Sequence, residues 1–196
     1  KKNVILAALI FAANNAAGYL VIAFFASYGS NVLGMSREST LVASFIGGLG
    51  WLAFTMLGGR LGDRIGKIRT FQIGYAIIIL WAIPMWFLLD TASLPLFTLA
   101  IVILTVGLGP SYGPQSALYA EMFPANVRYS GVSIGYAFGS IIGGAFAPMI
   151  AQLLLNQTGA SWTIGVYIAA LAIVSFIAVS MVPKSVDGSD LHVEQA

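Results

Sequence analysis

The chain has 196 residues, 59% of them hydrophobic and 8% charged, with a mean hydropathy of +0.91, a single His and no Cys. An ordinary soluble domain carries about 25% charged residues, so the surface of this chain faces lipid, and disulfides and thiolate metal sites are excluded. The formal charge of +2 does not indicate nucleic acid, because the basic residues are few and lie between apolar runs, where they read as topology signals.

In chain order, six apolar runs approach the roughly 20 residues that a helix needs to cross a hydrocarbon core of about 30 Å. They predict spans over residues 4–28, 41–57, 71–89, 94–119, 131–155 and 162–182. Backbone amides find no water partner in lipid, so each run is a helix despite its Val and Ile content. The expected fold class is therefore all-α, a polytopic membrane protein whose six transmembrane helices form one bundle over residues 1–182. The chain opens Lys1-Lys2-Asn3 with no signal-peptide pattern, and reads as a segment that follows a cytoplasmic linker. Residues 183–196 form a polar cytoplasmic tail carrying Asp187, Asp190, His192 and Glu194, expected to be disordered. Lys1, Lys2, Arg60, Arg64, Lys67, Arg69, Arg128 and Lys184 fall on one side of the six spans and Arg37 on the other. That asymmetry places both ends of the segment in the cytoplasm. Trp86, Trp162 and Tyr28 then fall near the outer ends of their spans, where they suit an interfacial belt or plain packing.

The first span contains Asn14 and Asn15, an unusual pair in lipid. An amide left unpaired in hydrocarbon costs several kcal/mol, so these side chains face either a neighbouring helix or a wet cavity. Consecutive residues point about 100° apart, and Asn15 shares its face with Gly18 and Tyr19. The fourth span carries Gly107, Gly109, Pro110, Gly113 and Pro114, with Tyr112 and Gln115 beside them. Proline removes a backbone donor and clashes with the preceding turn, which predicts a kink or an unwound stretch. Such interruptions either mark a binding site or serve packing. Ser133, Tyr136 and Gln152 add polarity to the fifth span, along which Gly131, Gly135, Gly139 and Gly143 recur every fourth residue. That stripe permits close backbone approach, as a tight crossing inside one bundle, a sliding seam or a dimer face.

No Lys, Arg, Asp, Glu or His lies deep within a predicted span. Proton relays and intramembrane metal enzymes need such groups, so neither an enzyme nor a metal or cofactor site is expected. The charges cluster instead in two connecting stretches, GGRLGDRIGKIRT at residues 58–70 and EMFPANVRYSG at residues 121–131. Asp63 lies between Arg60 and Arg64, and Gly59, Gly62 and Gly66 permit a tight turn. Topology signalling explains the arginines but not Asp63 or Glu121. Asp63, Arg64, Glu121 and Arg128 are the candidate members of a cytoplasmic gate.

Residues 59–69, GRLGDRIGKIR, resemble the loop motif of the major facilitator superfamily, and GPQSALYAEMFPANVRYSG is similar to its metabolite:proton symporter family. The resemblance covers essentially the whole chain as spans seven to twelve. It implies one six-helix half of a rocker-switch secondary transporter of the plasma (inner) membrane, completed by an N-terminal six-helix half. It further implies symport of protons with a small organic acid or zwitterion. The first, second, fourth and fifth spans would line the cavity and the third and sixth would face lipid. Asn14, Asn15, Tyr19, Tyr112 and Gln115 become the candidate substrate contacts. An anionic substrate needs a cation that these spans do not offer, so that cation and the proton carrier belong to the other half. A six-helix channel, or a half-transporter acting as a homo-oligomer through the Gly stripe, is the competing reading.

Overall fold

The computed structural model describes residues 2–183. Of the expected tail only Pro183 is among them, so its disorder and the sides assigned to Lys1 and Lys184 lie outside the described residues. The first run forms α1 (Lys2–Tyr19), a π-helical turn (Leu20–Phe24) and α2 (Phe25–Asn31) without interruption. Then come α3 (Arg37–Ile65), α4 (Lys67–Trp81), α5 (Pro84–Leu89), α6 (Leu94–Tyr112) and α7 (Gln115–Met122). The fifth run is α8 (Arg128–Gly139), a second π segment (Ser140–Ala145) and α9 (Ala147–Thr158), and the last is α10 (Trp162–Ser180). No strand forms among the described residues. Among the described residues five helical stretches are long and apolar enough to cross a membrane, namely Lys2–Asn31, Arg37–Ile65, Leu94–Met122, Arg128–Thr158 and Trp162–Ser180. The chain is thus an all-helical, multi-pass membrane protein.

The run expected as the third span breaks between Trp81 and Pro84. Pro84 supplies no N–H to a preceding carbonyl, and its ring disfavours helical backbone at Ile83. It sits at the first position of α5, where a missing donor costs nothing.

α3 extends well past residue 57 and consumes most of the expected connecting stretch. Its start is capped by Ser36, whose Oγ accepts from the Ser39 N–H at 3.2 Å. Gly58 and Gly62 lie inside the helix, where a β-carbon would meet the backbone of Gly109 and Pro110 or the ring of Pro114. Gly58 and Gly62 serve packing against α6 and the Pro114 ring, and Gly59 and Gly62, expected to permit a turn, both lie inside α3. Gly66 alone makes the turn, with φ of 92°, a value that suits glycine.

α1 is the buried axis of the bundle, with Ala7, Ala13, Ala16 and Ala17 at 0% exposure. It packs against α8, the second π segment and α10. Gly135 faces Ala7, Gly139 faces the carbonyl of Ala8 and Phe11, and Gly143 faces the backbone of Ala12. The small-residue stripe is therefore covered within the chain, by α1 at Gly135, Gly139 and Gly143 and by Phe123 at Gly131. Hydroxyls from three other helices reach carbonyls of α1, whose second lone pairs remain available. Tyr119 donates to Ala7, Ser175 to Leu9 at 2.6 Å and Tyr75 to Ile10.

Of the two uses open to Trp86 and Tyr28, packing is the one observed, since they are 0% and 4% exposed and pack with Phe24 and Phe25. Trp162 is 48% exposed. Tyr28 and Ser161 both donate to Asp90, one to each carboxylate oxygen, and so tie the ends of α2, α5 and α10 together.

Candidate functional site

A cavity of about 550 Å³ opens between α1, α3, α6 and α8. α1 presents Phe11, Asn14, Asn15 and Tyr19 to it, in the i, i+3, i+4, i+8 spacing of one helical face. α3 contributes Gly48, Trp51, Leu52 and Thr55, again one face. Tyr112 enters from α6 and Tyr136 from α8.

The aromatic rings form a connected wall. The Phe11 and Tyr136 centroids are 4.4 Å apart, Phe11 stacks on Tyr112 at 6.2 Å, and Trp51 meets Tyr112 edge-on at 5.9 Å. Gly18 is needed for this arrangement, since a β-carbon there would lie 2.5 Å from the far edge of the Trp51 indole. The lining contains amides, hydroxyls and rings but no charged side chain among the described residues. Such a surface can stack on a ring, attract an ammonium group to its π-faces and donate hydrogen bonds.

Asn14, Asn15, Tyr19 and Tyr112 are thus brought to one cavity, but the two amides are used differently. Asn14 is 1% exposed, and its Nδ2 donates to the Leu108 carbonyl at 3.1 Å and to Ser111 Oγ at 2.7 Å. It joins α1 to α6. Asn15 is half-buried and donates to Ser140 Oγ at 2.8 Å, within the second π segment. Gln115 is not in the cavity wall. The chain breaks at Gly113–Pro114, α7 restarts at Gln115, and that side chain is 5% exposed beside Tyr119.

The two π segments are the local feature that sequence spacing did not disclose. One follows Tyr19 directly, and the other carries Ser140 and Gly144, where a β-carbon would meet the Tyr19 ring. Such insertions recur at functional sites because they redirect side chains within a helix. Trp51 and Thr55 were also unremarked in the sequence. Their spacing with Gly48 and Leu52 was the available signal.

At the basic end of the bundle, Glu121 pairs with Lys67 at 3.0 Å, joining α7 to α4. Asp63, Arg64 and Arg128 are exposed, and no ion pair involves them among the described residues. Arg128 Nε donates to the Phe123 carbonyl at 3.4 Å. Arg64 lines a groove on another face of α3, together with Arg60. The four residues expected to form a gate are therefore not joined to one another here.

The sequence pattern of the Major Facilitator Superfamily matches residues 1–148. The chain belongs to that superfamily. Among curated relatives, the shikimate transporter of Escherichia coli is 31% identical over 160 residues, covering 80% of this chain and 36% of the relative. The Escherichia coli inner membrane metabolite transport protein YhjE is 33% identical over 147 residues, 74% of this chain and 33% of the relative. A Staphylococcus haemolyticus protein whose name provisionally assigns it to proline/betaine transport is 25% identical over 177 residues, 90% of this chain and 38% of the relative. This superfamily member thus spans about a third of the length of the curated relatives it matches.

Proposed function

We propose that this chain is the C-terminal half of a secondary active transporter that carries a small organic carboxylate or zwitterion by alternating access, coupled to protons. The observation that carries the reading is the cavity itself. It opens on four helices of a superfamily member and is walled by five aromatic rings and two amides, with no cationic side chain among the described residues that line it. A carboxylate needs a cationic partner when it leaves water, so its partner and the proton carrier are assigned to the half that this chain does not span. The aromatic wall takes the ring or ammonium end of the substrate, with Asn15 as hydrogen-bond donor. The named functions of the relatives, shikimate and proline/betaine transport, suit that division, since each such molecule pairs a carboxylate with a ring or an onium group.

In this reading the described spans lie in the plasma membrane, with the ends of the segment in the cytoplasm and the Arg60–Arg69 end facing inward. Asp63, Glu121 and Arg128 belong to the inner gate, with Lys67 as a fourth member in place of Arg64. A single exposed pair contributes only about 0–1 kcal/mol, so the gate acts through several pairs exchanged between states.

The test is uptake of radiolabelled shikimate, proline and glycine betaine by cells expressing the full-length transporter, with and without a protonophore, for the parent and Trp51→Leu. Expected is protonophore-sensitive uptake of at least one compound, with KM raised roughly 2- to 30-fold in the variant, the range for losing one ring contact. Uptake that ignores the protonophore would refute proton coupling. An unchanged KM would remove Trp51 and the aromatic wall from the substrate site.

A further inference from the structure

A second concavity, of about 470 Å³, lies on a different face of α3 from the cavity. Leu57 and Leu61 of α3, Ile73 and Ile77 of α4, and Val106 and Pro110 of α6 form its walls. Each helix supplies two residues one turn apart, so three apolar stripes run side by side along the membrane direction. Arg60 and Arg64, also one turn apart, stand where α3 approaches the turn at Gly66. Among the described residues no acidic side chain lines the groove, and neither arginine belongs to an ion pair. Two like charges at i, i+4 repel each other, so the arrangement favours an anion between them.

The groove opens towards lipid. Leu57 is 53% exposed, Ile73 is 42% exposed, and Leu80, which continues the Ile73–Ile77 stripe of α4, is 76% exposed. The cavity uses Leu52 and Thr55 of α3, whereas the groove uses Phe54 and Leu57. Positions two apart differ by roughly 200° around a helix. A partner bundle that closes the cavity therefore leaves the groove to the bilayer.

We propose that this groove binds an anionic phospholipid, its phosphate held by Arg60 and Arg64 and an acyl chain lying along the three apolar stripes. Guanidinium groups take phosphate oxygens in pairs, and basic pockets between helices at one membrane face are suited to anionic head groups. A soluble anion would gain the arginines but leave the apolar walls uncovered. A purely apolar partner would leave the arginines without counter-charge.

The test is native mass spectrometry of the detergent-solubilised full-length transporter, titrated with phosphatidylglycerol or with phosphatidylcholine of the same chains. Expected is retention of phosphatidylglycerol over phosphatidylcholine by roughly 10- to 30-fold, two arginines each contributing. Arg60→Gln with Arg64→Gln should bring phosphatidylglycerol down to the phosphatidylcholine level. Ile73→Trp, which fills the groove without touching a charge, should also cut phosphatidylglycerol retention several-fold, and decides the matter if the double variant fails to fold. Equal retention of the two lipids by the parent overturns the proposal. So does undiminished phosphatidylglycerol in Ile73→Trp, or displacement of the lipid by excess glycerol phosphate, which would show that a soluble anion fills the site.

Discussion

Replacing Asn14 by Leu separates the structural amide from the functional one. Leu keeps the branched four-atom skeleton of the Asn14 side chain but deletes the hydrogen bonds to Leu108 O and Ser111 Oγ, at 3.1 and 2.7 Å. Two neutral bonds are worth about 1–3 kcal/mol on the scale of soluble proteins, or roughly 1.2 kcal/mol at the mean of about 0.6 each found inside bilayers. No donor is stranded, because the Ser111 hydroxyl still donates to the Gly107 or Leu108 carbonyl, at 3.0 and 3.1 Å. The expected loss is therefore about 1–2 kcal/mol of stability, read as a lower midpoint in denaturant unfolding of the full-length protein in mixed micelles. KM, measured on the folded fraction, should stay within about twofold. Asn15→Leu should do the reverse, since Asn15 is half-buried and makes one bond, to Ser140. If Asn14→Leu leaves the midpoint unmoved, or raises KM as much as Asn15→Leu does, the division of labour between the two amides is wrong.

Gly143→Val places a side chain on the backbone of Ala12 and should cost about 1–3 kcal/mol or more through overpacking, seen as lost expression and a lower thermal midpoint. Gly48→Ala is its control, because nothing lies within 4 Å of the added carbon, and stability should hold or rise by up to about 1 kcal/mol from helix propensity. Asp90→Asn weakens the bonds from Tyr28 and Ser161 and should lower stability by about 1 kcal/mol while speeding amide exchange at the α2, α5 and α10 ends. Glu121→Gln breaks the 3.0 Å pair with Lys67, whose partners are 38% and 14% exposed. Its stability cost should stay below about 1 kcal/mol while the accessibility of a cysteine introduced at the basic end changes, and a larger cost with no change in accessibility would make the pair structural.

The class of fold was legible because lipid leaves a backbone few alternatives to the helix. Charge-free runs therefore translated directly into helices. Helix boundaries were less legible where glycine had two possible uses. Gly58, Gly62 and Gly66 look alike in the sequence, yet the first two face Gly109 and Pro114 across a helix crossing while the third turns the chain at φ of 92°. Only the neighbouring helix distinguishes them. Proline behaved similarly. Pro110 stays inside α6, whereas Pro84 and Pro114 coincide with breaks. At the cavity, polarity singled out Asn14, Asn15, Tyr19 and Tyr112, but Gln115 was equally polar and turns away after the break at Gly113–Pro114. Trp51 escaped notice because an aromatic among aliphatics carries no signal until Gly18 is seen to make room for it.

The α3–α6 crossing connects the two sites argued for above. Gly58 abuts Gly109, Gly109 abuts Phe54, and Gly113 abuts Thr55 and Gly59, in each case against backbone atoms. Contacts of backbone on backbone have no rotamers with which to absorb a displacement, so α3 and α6 move as one piece or not at all. The same pair of helices carries Trp51 and Tyr112 into the cavity on one face and Leu57, Arg64 and Pro110 into the groove on the other. A lipid that held the groove side in one position relative to the bilayer would therefore hold the cavity wall with it, provided that its affinity differed between the two access states. Flexibility must then come from elsewhere, and the π segments are suitably placed. The π segments sit in the first and fifth spans, outside the α3–α6 crossing, whereas the Gly113–Pro114 break lies at the end of that crossing, with Gly113 still held against Thr55 and Gly59.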